Sequence, residues 1–150
     1  MKIVVLAGGL STERDVSFVT GNMVSKALRA KGHQVILLDV FMGYSNKKED
    51  LDGIFDRSEE VSVKVEGIPE TAPDIAKVKA MREDKSDAFF GPNVIEMCQM
   101  ADIVFMALHG ENGENGKVQG GAGSVWRKIY GNRILQQCGG NEQIRDKAVF

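Results

Sequence analysis

Residues 3–7, IVVLA, and residues 34–40, QVILLDV, are continuous apolar runs on either side of a stretch with helical periodicity. A run without alternating polar residues suits a strand covered on both faces, which is the environment of a parallel sheet with helices on either side. Gly8-Gly9 closes the first run. Val16, Met23, Val24, Ala27 and Leu28 then recur at helical spacing, Thr12 with Asp15 three positions later fits a capping box, and Gly32 supplies a stop. Strand, helix, strand in that order predicts a parallel crossover, so the chain opens as a Rossmann-like α/β fold.

The sheet is then interrupted by a loop-rich insertion. Residues 43–60 are charged and polar, VSVKV at 61–65 alternates with period two as a half-exposed strand would, and residues 74–83 fit a short helix. Pro92 suits the first turn of a further helix, with Val94, Met97, Cys98 and Ala101 on one apolar face. Asp102 leads from it into the buried run IVFMAL. His109 stands at the carboxyl end of that last strand.

Charge and cysteine content narrow the function classes. The 150 residues carry a net charge of −2, with 19 basic and 21 acidic side chains mixed along the chain, which gives no electrostatic reason to expect a nucleic acid or a membrane partner. MKIVVLAGG is too short and has the wrong layout for a span or a signal peptide, so a cytoplasmic protein is expected. Cys98 and Cys138 lack metal-ligand spacing and are expected as reduced thiols.

Two loops invite a chemical reading: GGLSTERD after the first strand and HGENGENG after the later one. In an open parallel sheet both belong at the carboxyl edge, where ligand crevices form. GGLSTE lacks the spacing of the dinucleotide and Walker fingerprints, and Glu13 near a helix start would repel a phosphate while suiting an ammonium group. From spacing alone, Glu13 reads more readily as a first-turn acid. For His109, a hydrogen-bonded strand end and an imidazole that orients a substrate stand level. Glu111 and Glu114 with His109 fix no metal geometry, and the proline-cysteine half of the zinc deaminase pattern is missing. Asp39 could mimic a ribose-binding acid, but without the glycine fingerprint it reads as a strand end. Gly110, Gly113 and Gly116 allow close backbone approach to a ligand or simply a surface turn.

GGLSTERDVS and FMALHGENGENGKVQ, with FFGPNVIEMCQMADIV between them, resemble the N-terminal domain of the D-alanine:D-alanine ligases, members of the ATP-grasp superfamily. The resemblance covers residues 1–119 and implies a pre-ATP-grasp sheet. It implies that Glu13 takes the ammonium of the first D-alanine, that Val16 touches its methyl group, that His109 and Gly110 lie beside the same substrate, and that Glu114 supports His109. Glu111 falls at a variable position. The implied reaction serves peptidoglycan synthesis and passes through a D-alanyl phosphate. ATP and Mg²⁺ would be held by domains beyond residue 150, so the fragment alone is expected to bind neither and to be inactive. A homodimer is implied for the complete enzyme. Two other readings stay open: a noncatalytic Rossmann-like binding domain, and a defective gene product.

The resemblance stops after Gln119. Where the family has a helix, a strand and a Y-T-G turn, residues 120–143 read GGAGSVWRKIYGNRILQQCGGNEQ. Codons for these residues can be chosen so that the frame shifted forward by one nucleotide reads AALDLFGVRYTGTEYSSSAVAMNK, which is similar to the missing segment. Trp126 has a single codon, and with any arginine codon after it the shifted triplet encodes the glycine wanted there. Residues 144–150, IRDKAVF, resemble the start of the following ATP-grasp region in the original frame, so a compensating second shift is expected near Gln143. As written, the segment is expected to lose a helix and a strand, costing several kcal/mol in a domain with a net stability of about 5 to 15. Val125, Trp126, Ile129, Tyr130 and Ile134 still fit a weakly amphipathic helix.

Overall fold

The structure is a computed structural model that describes residues 1–46, 48–67, 69–109 and 129–131. Strand β1 (Lys2–Ala7) leads into helix α1 (Arg14–Ala30) and strand β2 (Gln34–Asp39). The long connection that follows holds two 3-10 turns and the short helices α2 (Ser58–Val61), α3 (Ile75–Met81) and α4 (Val94–Met100). Strand β3 (Ile103–Met106) returns to the sheet, and β4 (Ile129–Gly131) extends it. The order is β2-β1-β3-β4 with every neighbouring pair parallel, Lys2 opposite Gln34, Ile3 opposite Ile103 and Val104 opposite Ile129.

Alternation along the strands sorts the core into two layers, because successive side chains point to opposite faces of a sheet. Val4, Leu6, Ile36, Leu38, Val104 and Met106 pack under α4 and the 3-10 turns, against Ile54, Phe55, Val94 and Met97. Ile3, Val5, Ala7, Val35 and Leu37 face the other way, toward Phe18, Val24 and Leu28 of α1. Both faces of β1 and β2 are therefore covered, which is why their sequences are unbroken apolar runs.

Helix α1 sits on the sheet differently from the expectation. Its buried residues are the small Ser17, Gly21 and Ser25, four apart, while Val16 is 44% and Met23 68% exposed, and Ala27 is exposed too. A Cβ on Gly21 would lie 2.7 Å from Leu37 Cδ1 and 3.1 Å from Ala7 Cβ, so the helix backbone rests almost directly on the strands. The expected capping box is absent: the N-cap is Glu13, with no side-chain cap bond. Instead the Ser11 carbonyl accepts from the Arg14 amide at 3.0 Å and Ser11 Oγ from the Glu13 amide at 3.1 Å, a tight turn that starts the helix beyond Thr12. Gly32, at φ +84, ends it as expected, with its amide on the Arg29 carbonyl at 2.8 Å.

Residues 61–65 do not form the expected strand. Ser62 Oγ accepts from the Leu37 amide at 3.0 Å and the Val63 amide donates to the Leu37 carbonyl at 2.9 Å, while Arg29 donates to the Val35 carbonyl. These three contacts satisfy the open edge of β2 without a ladder, a common way to protect an edge strand. Pro92 also lies outside the helix it was expected to start. Gly91 and Pro92 brace the turn after β2, with the Gly91 amide on the Val40 carbonyl and the Tyr44 amide on the Pro92 carbonyl, both at 2.8 Å. Asn93, at φ 60, is spent on the same brace, its amide nitrogen donating to the carbonyls of Tyr44 and Asn46, so α4 begins at Val94. Helix α3 falls within the expected span, capped by Asp74 on the amides of Ala76 and Lys77.

Ile129 and Tyr130, expected on a helix, lie in β4, and residues 129–131 supply a sheet strand that the as-written chain was expected to lose. The rest of 120–143, together with Gly110, Glu111, Glu114 and Cys138, falls outside the described residues. Cys98 is a buried free thiol, and burial pushes its pKa up so that it stays protonated in the fold. Among the described residues no helix is long and apolar enough to cross a membrane.

Candidate functional site

Strand β1 bonds to β2 on one side and β3 on the other, so the chain reverses its direction of winding between β1 and β3. The crevice at such a reversal, beyond the carboxyl ends of the strands, is where open α/β sheets bind ligands. The Gly8–Glu13 loop leaves β1 there, and Leu108 and His109 leave β3 beside it. A Cβ placed on Gly9 would lie 4.0 Å from Leu108 Cδ2, which measures how closely the two loop roots approach.

Helix α1 ties these loops together. Ser17 Oγ accepts from the Gly8 amide at 2.9 Å and donates to the Ala107 carbonyl at 2.8 Å, linking the carboxyl ends of β1 and β3 through one buried hydroxyl. Thr20 Oγ1 lies 3.0 Å from His109 Nε2. Glu13, Val16 and Thr20 follow one another at i, i+3 and i+7, so they form a single stripe along the helix. At a rise of about 1.5 Å per residue, Glu13 and Thr20 are separated by about 10 Å along the axis, a span suited to a small zwitterion lying over Val16. The carboxylate of Glu13 is exposed at the start of the stripe, and the half-buried imidazole stands at its other end.

The loop that bears Glu13 is held from behind by a residue pair with no local signal in the sequence. Arg14 pairs with Asp39 at the end of β2, and its other terminal nitrogen donates to the Gly9 carbonyl at 2.7 Å. The guanidinium also lies 5.0 Å from the centroid of the Phe18 ring. Asp39, 3% exposed, accepts in addition from the amides of Phe41 at 2.9 Å, Met42 at 3.3 Å and Gly9 at 3.4 Å. Gly8, at φ +77, lies so close that a Cβ would meet Phe18 at 2.7 Å and Asp39 at 2.8 Å. Asp39 is thus neither a ribose ligand nor a solvated strand end; it anchors the first loop to the second strand.

A cleft of about 340 Å³ opens on the other side of α1, lined by Arg14, Asp15, Phe18, Met42, Val63 and Glu66 among others. Neither Glu13 nor His109 lines it. Its buried charges are committed to each other through Arg14 and Asp39, and Lys64 Nζ donates to the Glu59 carbonyl at 2.8 Å. The carboxyl end of β1 and β3 is the other candidate, because there Glu13 is exposed and the His109 ring lies within hydrogen-bond distance of Thr20.

No group of three histidine, cysteine or acidic side chains among the described residues is arranged to hold a metal ion. The first loop also turns a carboxylate, not a phosphate cradle, toward the helix start.

An all-parallel α/β sheet in which the chain leaves β1 and β3 side by side at a winding reversal is the class of domain that these features define. Sequence comparison narrows the class, since a family model described as "D-ala D-ala ligase N-terminus" matches residues 2–125. The chain belongs to that family. Similar proteins include the D-alanine–D-alanine ligase of Lacticaseibacillus casei (strain BL23), 48% identical over 120 residues that make up 79% of this chain and 33% of the relative. The ligase of the same name from Pediococcus pentosaceus is 42% identical over 120 residues, 79% of this chain and 34% of the relative. That of Anaeromyxobacter dehalogenans (strain 2CP-1) is 31% identical over 149 residues, 99% of this chain and 33% of the relative. The chain therefore spans about a third of the length of the relatives it matches.

Proposed function

We propose that this domain forms the first-substrate site of an ATP-dependent D-alanine:D-alanine ligase of the pre-ATP-grasp type. Glu13 accepts the ammonium of the first D-alanine, Val16 packs on its methyl group, and His109 with Gly110 borders its carboxylate. The observation that supports this most is the single stripe Glu13–Val16–Thr20 ending on His109. It offers an anion, an apolar patch and an imidazole in the order that a short D-amino acid needs.

Activating the substrate carboxylate requires a phosphoryl donor and positive charge around the transferring group. We assign ATP, Mg²⁺ and those charges to residues beyond Phe150, so this chain alone is inactive. The complete enzyme is a cytoplasmic homodimer in peptidoglycan synthesis, and the choice between D-alanine and D-lactate as second substrate is made outside these residues. Glu13→Gln in the complete, frame-restored enzyme removes the charge while keeping the shape. Losing a hydrogen bond between charged groups is worth about 1.5–3 kcal/mol, so KM for the first D-alanine should rise about 10- to 100-fold. Steady-state kinetics with an unchanged KM and kcat would remove Glu13 from the site.

Residues 120–143 we read as a frameshifted stretch of the same domain, with 1–119 before it and the following ATP-grasp region from residue 144. Alignments to the two relatives of higher identity span 120 residues and the family model extends to residue 125, while the longer alignment at 31% identity is compatible with a frame resumed near Ile144. The source DNA is expected to encode AALDLFGVRYTGTEYSSSAVAMNK in the shifted frame. Codons unable to yield that peptide would end this reading.

A further inference from the structure

We infer that Thr20 is a positioning residue for His109: its hydroxyl donates to Nε2, fixes the ring as the Nδ1–H tautomer, and leaves Nδ1 as the nitrogen available to a substrate. This rests on the first-substrate reading of the crevice and adds to it which ring atom does the work. The distance from Oγ1 to Nε2 is 3.0 Å, well within hydrogen-bond range. A neutral imidazole has one N–H and one lone pair, so a single bond can go in either sense, and the sense determines the tautomer.

The surroundings of Thr20 select the sense. A threonine within a helix commonly gives its proton to the carbonyl four residues back, which would leave Oγ1 only as an acceptor and force Nε2–H. Among the described residues Thr20 Oγ1 has no bond other than that to His109, so its proton goes to Nε2. The position of Oγ1 is itself fixed. Ser17, one turn earlier, is bonded to Gly8 and Ala107, and Gly21, the next residue, lies against Leu37 and Ala7. Thr20 is therefore locked to the same strand end that His109 leaves. With Nε2 occupied, Nδ1–H is a donor, and a donor suits a carboxylate oxygen of the bound amino acid.

Long-range ¹H–¹⁵N correlation spectra of the histidine side chains test this in the 150-residue chain without any assay of activity. His33, the other of its two histidines, serves as the internal reference. The parent and Thr20→Ser should show His109 as Nδ1–H, whereas Thr20→Val should move it to mostly Nε2–H with His33 and the backbone amide spectrum unchanged. An Nε2–H form in the parent overturns the inference, as does one tautomer common to all three proteins. Should Thr20→Val fail to fold, the tautomer of His109 in the parent and in the serine variant still supports or overturns it. A failure here leaves the role of Glu13 standing, because that role is read from the KM of Glu13→Gln.

Discussion

Replacing Asp39 with alanine is expected to lower the unfolding free energy by about 3–5 kcal/mol, the usual cost of leaving one partner of a buried ion pair uncompensated. Arg14, with a side chain only 12% exposed, would lose its partner, and the amides of Phe41 and Met42 would lose their acceptor. A domain of this size has about 5 to 15 kcal/mol in total, so much of its stability would go. Asp39→Asn should lose less, since its carbonyl oxygen can still receive the two amides. Urea titrations of the parent and both variants measure this, and an alanine variant with the parent's midpoint would show that the pair contributes nothing. Because the pair also grips the Gly9 carbonyl, partial unfolding should begin in the loop that bears Glu13.

Gly91→Ala is expected to be nearly as damaging, and for a different reason. The added methyl would lie 2.3 Å from the Phe41 carbonyl oxygen and 2.6 Å from the Gly43 nitrogen, both backbone atoms that cannot rotate away. Relief requires the segments 41–43 and 91–92 to separate, which breaks the bonds from Gly91 to Val40 and from Tyr44 to Pro92. Overpacking costs about 1–3 kcal/mol and each lost hydrogen bond about 1 more, so a total near 3–5 kcal/mol is expected. Hydrogen exchange at the Gly91 and Tyr44 amides should accelerate before the rest of the sheet opens. Protection equal to the parent's would contradict the close approach.

The strands were legible because burial on both faces writes itself as an unbroken apolar run, as in IVVLA and QVILLDV. Helix α1 was legible in extent and, through Val24 and Leu28, only partly in orientation. The expectation weighted Val16 and Met23 by hydrophobicity, whereas the sheet selects Ser17, Gly21 and Ser25 for their size. Their spacing of four was present in the sequence, but small residues carry no hydrophobic signal. VSVKV misled because alternation marks a half-buried segment and not a hydrogen-bonded one; Ser62 satisfies the β2 edge in place of a ladder. Pro92 misled because its turn is used to brace Phe41–Tyr44, a contact between residues almost fifty positions apart.

At the proposed site, charge and helix position raised Glu13 without deciding against a plain first-turn acid, and strand-end placement left His109 level between two readings. The bond from Thr20 and the Arg14–Asp39 pair were not legible, since a polar side chain on a helix or strand end looks the same whether or not a distant partner meets it. Family resemblance supplied roles for Glu13, Val16 and His109, and the structure adds that the three are joined by one face of α1 and the end of β3.

A crystal structure of the complete protein with D-alanine bound examines that joined face most directly. The amino acid should lie along α1 with its ammonium about 2.7–2.9 Å from a Glu13 oxygen, its methyl group on Val16 and its carboxylate toward His109. D-alanine seated instead in the cleft between α1 and residues 63–69, or anywhere out of reach of Glu13, would contradict the proposed site.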